Sequence, residues 1–379
     1  MRTGVYYGED EPELSRRLDE YLDGLGRRLA DSGAASGCVA LVLSGGYGRG
    51  EGGVFRGHDG VAQLYNDLEF YLFTQSDQIP DGVTSWCHQE ERDGTEELGI
   101  DVEFKCLGID ALRQGEPSMF YYDLLQGNQL VWGQEDWATG MPPDLSEANL
   151  IPLSEATRLM FNRGSGLFYS RCALAQGDER IDDGFVQRNH AKARLALGDA
   201  ALVANDQYHY FCRERGKRVA AGLKHVPPDW ERIQTWHAEG VAFKLRPRHQ
   251  KMSLDELQKT QRDLAEVWTQ TFLWLEGLRL EETFADESSY QRFTGRLYPE
   301  TPRFRNMLLR VRDLKSRGGA LGGWTDYPRA ALQRALVELV APRKEPDAAT
   351  VSALLSAKAS GRNWWELESD YARWWAFYN

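Results

Sequence analysis

Leucines at positions 14, 18, 22 and 25 recur among charged neighbours over residues 11–30, the spacing of one face of an amphipathic helix. Past the glycines at 33 and 37 the period changes. Residues 39–43 and 70–73 are short apolar runs with strand character, and Ile100-Asp101-Val102-Glu103-Phe104 alternates apolar with acidic, opening a third strand over 100–107. Residues 54–65, with Gly57, Gly60 and the pair His58-Asp59, read as an inserted loop. Residues 77–94, with Pro80, Asp81-Gly82 and the run EERDGTEE, predict a loop holding at most a short helix. A helix over 119–125 and a short strand over 128–133 follow. From residue 154 onward strand signals almost vanish. Helices are expected over 157–176 (interrupted by Gly164 and Gly166), 189–204, 253–282, 303–314, 328–340, 350–359 and 364–378. Ser253 with Glu256 three residues later makes a capping box for the longest of them. The breaker Met141-Pro142-Pro143-Asp144 marks the expected boundary. The predicted fold class is α+β: a small mixed-sheet domain over 1–140, then a larger all-helical region over 141–379.

Composition narrows this picture only slightly. At 379 residues the chain is long enough for two or three domains with a sizeable core. A net charge of −12 argues against a non-specific nucleic-acid binder, which would carry a basic face. Cys38, Cys87, Cys106, Cys172 and Cys212 include no C-x-x-C, so neither a disulfide framework nor a zinc site is indicated. The start lacks the apolar core of a signal peptide and no apolar run reaches membrane-spanning length. A cytoplasmic protein without a membrane partner is expected.

The candidate chemistry lies between the first two strands. Ser44-Gly45-Gly46-Tyr47-Gly48-Arg49-Gly50-Glu51-Gly52-Gly53 is a glycine-rich turn, and successive peptide N–H groups in such a turn can cradle an anion. Asp67 and Glu69 open the next strand, and a period of two puts both carboxylates on one face. Asp101 and Glu103 do the same on the third strand. Like charges side by side repel unless a cation lies between them, so acids beside a phosphate cradle point to a hard metal ion carrying a nucleoside triphosphate. Gly48-x-Gly50-x-x-Gly53 also matches a dinucleotide fingerprint, but residues 54–65 make a poor helix and the acids stand at the start of their strand rather than its end. No P-loop or protein-kinase pattern occurs.

The order of apolar strand, Gly-Gly-x-x-Arg-Gly (Gly45, Gly46, Arg49, Gly50), Asp67-x-Glu69 and a later acidic strand resembles the polymerase-β-like nucleotidyltransferases. GGYGRGE is also similar to the start of protein-modifying uridylyl- and adenylyltransferases and of aminoglycoside nucleotidyltransferases. The resemblance spans about the first third of the chain. It departs from the family in the longer step from Gly46 to Asp67 and in Glu at 69 where Asp is commoner. What it implies is a metal-dependent, nucleotide-binding transferase. Such an enzyme moves a nucleoside monophosphate from an NTP such as ATP to an acceptor hydroxyl, small-molecule acceptors being favoured, and releases pyrophosphate. Asp67, Glu69 and Glu103 would ligate two Mg²⁺ ions, with Glu103, or Asp101 in its place, as third carboxylate or general base. Ser44, Gly45, Gly46 and Gly50 would contact phosphate. Arg49 would touch phosphate, orient the turn, or pair with Glu51 or another acid. Lys192, on a helix after the catalytic domain, would reach the triphosphate. Two alternatives stay open: a nucleotide-binding regulatory or partner-binding protein with a degenerate site, and a transferase acting on a protein or RNA. The histidines show no paired metal spacing, and Trp364-Trp365 and Trp374-Trp375 are expected to dock the C-terminus.

Overall fold

The leucine row near the N-terminus becomes one wall of a core. In the computed structural model, which describes residues 4–8, 11–57, 60–175, 182–342, 345–356 and 364–378, helix α1 (Pro12–Asp31) buries Leu14, Leu18, Leu22, Leu25 and Leu29. Each such side chain contributes about 2 kcal/mol on leaving water. Strand β1 (Cys38–Leu43) follows, then a short helical turn α2 (Gly45–Gly48), strands β2 (Val54–Arg56) and β3 (Ala62–Leu64), and strand β4 (Leu68–Thr74). Next come helix α3 (Asp81–Leu98), strand β5 (Val102–Gly108), helices α4 (Ile109–Arg113) and α5 (Met119–Gln126), and strand β6 (Gln129–Gly133).

Four strands form a mixed sheet in the order β5-β4-β1-β6. β1 is antiparallel to both neighbours, while β4 and β5 are parallel. A parallel pair needs a crossover, and α3 supplies it. α1 and α3 cover one face, where Leu41, Leu43, Phe70, Leu72 and Val102 meet the leucines of α1 and Val83 and Cys87 of α3. On the other face Ala40, Val42, Tyr71 and Phe73 pack with Ile109, Leu112, Leu124 and Trp137.

The rest of the chain is helical: α6 (Leu153–Ala175), α7 (Asp183–Val203), α8 (Cys212–Ala221), α9 (Trp230–Leu245), α10 (Leu254–Leu280), α11 (Glu287–Arg292), α12 (Arg303–Arg317), α13 (Pro328–Val340), α14 (Ala348–Leu354) and α15 (Trp364–Tyr378). The protein is α+β, a small mixed sheet followed by a larger helical region. Its residues gather into two compact units. The first comprises Met1–Glu155 with Asn205–Leu223 and Val241–Arg248; the second comprises Ala156–Ala204, Lys224–Gly240 and His249–Asn379.

Several local expectations change. Residues 54–65 are not a plain loop, because β2 pairs with β3 in register Val54↔Leu64, Phe55↔Gln63 and Arg56↔Ala62. His58-Asp59 and residues 357–359 of an expected helix lie outside the described residues. Residues 81–98 form a full helix: the polar run hides a narrow buried stripe of Val83, Cys87, Glu90, Gly94 and Leu98, and Arg28 pairs with Glu90 at 2.8 Å. α8 and α9 carry too few periodic apolar positions to have been read. α6 runs straight through Gly164, whose missing side chain admits the Trp268 ring of α10: a Cβ there would stand 2.3 Å from it. The Ser253–Glu256 capping box forms as the sequence predicts. Trp374 is buried and donates from Nε1 to Leu355 O at 3.0 Å, whereas Trp365 is exposed.

Candidate active site

The glycine turn is tied to the acidic strand at its first residue. Ser44 is buried, and its amide donates to Glu69 O at 2.8 Å. Gly45 then takes φ +63, and a Cβ on it would lie 2.9 Å from Glu69 Oε1. The Glu69 carboxylate therefore lies directly over Gly45, in a place only glycine leaves open. The turn closes on itself: Gly48 N donates to Ser44 O, Arg49 N to Gly45 O, Gly50 N to Tyr47 O, and Glu51 N to Gly46 O at 2.8 Å. The first-turn amides, those of Gly45, Gly46 and Tyr47, are the ones helical geometry leaves without an internal acceptor. Tyr47 is fully buried, and its hydroxyl donates to Gly53 O and accepts from Tyr65 N, each at 2.9 Å, pinning both ends of the β2–β3 hairpin.

The acids come together through strand register. β4 and β5 run parallel with Glu69 opposite Glu103 and Tyr71 opposite Lys105, so these four side chains share one face of the sheet. Asp67 and Asp101 stand just before their strands, joined by Leu68 N donating to Asp101 O at 2.9 Å. Burial holds the Glu69 carboxyl above the ordinary carboxylate range; the charges of Asp67 and Glu103 push it further, and Lys105 and Arg49 partly offset them. Glu103 is about half exposed, with Lys105 Nζ 3.8 Å from its Oε2. Of the two candidates at the start of β5, Glu103 is the one in register with Glu69. Asp101 is exposed.

Arg49 pairs with Asp123 of α5 rather than with Glu51, Nη1 to Oδ2 at 3.2 Å. Tyr208 also donates to Asp123 Oδ2 at 3.3 Å, and Arg215 both donates to the Tyr208 hydroxyl at 3.4 Å and lies over its ring at 5.0 Å. Burial draws the Lys244 amine down from its ordinary range, as do the nearby charges of Arg49 and Arg215, against the pull of Cys212 and Glu51. Arg49 Nε and Asp123 Oδ1 are buried without a hydrogen-bond partner. Both residues line a cavity of about 220 Å³ with Ser44, Gly45, Glu69 and Tyr71. Turn, strand acid and ion pair thus share one hollow.

No family model matches the chain, and no curated protein does.

Glu51 has a structural task. Its buried carboxylate accepts from Cys212 N at 2.6 Å and Arg213 N at 3.0 Å, holding the start of α8. Lys192 is exposed on α7 in the second unit. Among the described residues no three His, Cys, Asp or Glu side chains converge as a ready-made metal cluster. The acids of β4 and β5 still suit a hard cation in chemistry. They are oxygen donors on one face, and burial, with the charges of Asp67 and Glu103, disfavours the ionised form of Glu69 that a cation would favour. Mg²⁺ is commonly held by one or two carboxylates plus phosphate oxygens, so such a set fits an ion arriving with its nucleotide. Asp123, Lys105, Arg215 and Lys244 were missed as site residues. Asp123 left one signal, an acid inside the apolar run FYYDLL; Arg215 and Lys244 left none, because only folding returns them to the first unit.

Proposed function

We propose that the chain is a nucleotidyltransferase, moving a nucleoside monophosphate from Mg-NTP to an acceptor hydroxyl with release of pyrophosphate. The observation that carries this reading is the Glu69 carboxylate lying over Gly45 of the glycine turn while standing in register with Glu103. Acids otherwise driven apart are gathered beside backbone amides suited to phosphate. In this reading the open amides of Gly45 and Gly46 and the hydroxyl of Ser44 hold phosphate oxygens, with Gly50 closing the turn. Asp67, Glu69 and Glu103 would hold Mg²⁺, which when bound neutralises phosphate charge and aligns the attacking and leaving oxygens. The acceptor oxygen forms its bond to the α-phosphorus, the bond from that phosphorus to the bridging oxygen breaks, and Glu103 takes the hydroxyl proton. The 220 Å³ hollow is smaller than pockets that enclose whole ligands, so it takes the reacting phosphates and leaves the base outside. The net charge of −12 favours a small acceptor over nucleic acid.

The test is incubation with α-labelled ATP, GTP, CTP or UTP, Mg²⁺ and an acceptor library, following label and pyrophosphate. Asp67→Asn is expected to cut transfer at least about a hundredfold with an unchanged circular dichroism spectrum; full turnover in that variant would sink the reading. One second reading, a nucleotide-binding protein with a degenerate site, rests on the same glycine turn and would need no turnover. Calorimetry registering NTP binding, with no pyrophosphate released over the whole library, would select it.

A further inference from the structure

Helix α12 is built inside out. Its buried residues are polar, Asn306 and Asp313, while Phe304, Met307, Leu308, Val311 and Leu314 are exposed, Phe304 at 71% and Leu308 at 54%. At 3.6 residues per turn those five apolar side chains fall within a sector of about 120°, and the two buried polar ones point the other way. Hydrogen bonds fix the inner face. Asn306 Nδ2 donates to Thr325 O at 3.0 Å and to Thr301 Oγ1 at 3.1 Å. Asp313 pairs with Arg317 and with Arg312, and Arg310 donates to Leu321 O and Gly322 O. Turning the apolar row inward would break the bonds of Asn306 and Arg310 to residues outside the helix, while the Asp313 pairs, both within it, only neutralise its buried acid. A helix on a folded domain ordinarily buries its apolar stripe, and a contiguous exposed one marks an interaction surface.

The charges around the stripe say what it meets. In a chain of net charge −12, this helix carries Arg303, Arg305, Arg310, Arg312, Lys315 and Arg317 against the single acid Asp313. Arg303 falls on one flank of the apolar row, Arg305 and Arg312 on the other, and Lys315 within the row near its C-terminal end. Two exposed aromatic rings lie beside the helix under its own arginines: Trp324 beneath Arg310 at 5.2 Å and Phe377 beneath Arg317 at 3.7 Å.

We propose that α12 docks this protein on the surface of an anionic phospholipid bilayer. Its five apolar side chains enter the boundary between headgroups and acyl chains, and the flanking cations meet lipid phosphates. Positive flanks complement a negative surface, and Trp324 is of the residue type that favours such a boundary. A bilayer also suits the geometry: the helix is anchored along its polar side and offers only one sector, which a flat surface covers and an enveloping protein groove does not. No helix among the described residues is long and apolar enough to cross a membrane, so the contact lies along the surface. It amends the expectation of no membrane partner and stands apart from nucleotidyl transfer.

The test is flotation of the full chain with vesicles of phosphatidylcholine alone, and of phosphatidylcholine mixed with phosphatidylglycerol. Binding is expected only to the mixed vesicles and should fall with added salt. Phe304→Asp with Leu308→Asp should weaken it at least about tenfold, and Arg303→Gln with Arg305→Gln by about fivefold per charge. Both pairs are exposed, so unchanged melting curves confirm that folding is intact. Absence of binding to the anionic vesicles overturns the proposal, as does binding that the aspartate pair leaves untouched. Self-association abolished by that pair, without vesicle binding, assigns the face to a second copy of the chain and also overturns it.

Discussion

Glu69 is held where ionisation is costly. Burial and the charges of Asp67 and Glu103 keep its folded carboxyl above the ordinary value of 4.5, so the ionised side chain lowers stability at neutral pH. The sign follows: this cost is full above the folded pKa, shrinks as pH falls through it, and is gone below about 4.5, where folded and unfolded chains are both protonated. Glu69→Gln should therefore melt a few degrees higher than wild type at pH 7, by about 1 kcal/mol, with the gap closing as the pH drops toward 4, while transfer is lost. Thermal melts across that range check it. A wild type more stable than the variant at neutral pH would mean that some donor or cation already satisfies the carboxylate. The same residue shows how far sequence reaches at this scale. Its type, and its sharing of a face with Asp67, follow from alternation along one strand. That its carboxylate covers Gly45 follows from the turn folding back onto β4, which no local pattern encodes.

Among the elements, α8 depends on a residue far from it in sequence. CRERGKRVAA is a polar segment with an internal glycine, a weak helix by propensity, and its two leading amides are held by the buried Glu51 carboxylate. Charge at a helix start is favourable, and this one is desolvated. Glu51→Ala is expected to cost about 2 kcal/mol in urea unfolding and to speed hydrogen exchange in residues 205–223 before the rest of the first unit. Uniform exchange across that unit would refute the local account. α1, α10 and α13 were legible because their apolar positions repeat at helical spacing, and α10 announced its own start through Ser253 and Glu256. α3 was not, since a stripe holding Glu90 and Gly94 leaves little periodic signal. α12 was read as a helix from its stripe, yet the stripe faces outward, with Asn306 and Arg310 bonded to residues outside the helix from its inner side.

At the scale of the molecule, the first unit is not a continuous stretch. Asn205–Leu223 and Val241–Arg248 return to it and bring Tyr208, Arg215 and Lys244 around the Arg49–Asp123 pair. A fragment of residues 1–155 lacks them, leaving Glu51 without the α8 amides and Asp123 with Arg49 but without Tyr208. Removing one side of buried polar contacts costs about 1–3 kcal/mol for each group stranded, against a total stability of about 5–15 kcal/mol for a domain. The fragment is expected to be poorly folded, with broad amide resonances and no cooperative melt. A cooperative melt equal to that of the full chain would show that the returning segments are dispensable.

Sequence alone determined what depends on neighbours a few residues away: the four strands of the main sheet, though not the β2–β3 pair, the glycine turn, the sides on which the acids stand, the capping box and the α+β class. Tertiary structure decided which acid meets which, Glu103 rather than Asp101 opposite Glu69, and that Arg49 answers to Asp123 instead of Glu51. It also set which way α12 faces and which late segments rejoin the sheet. The physical reason is one of range. Period and propensity act within a turn or a strand pair, whereas register, burial and ion pairing are fixed by contacts between residues that the chain keeps tens to hundreds of positions apart.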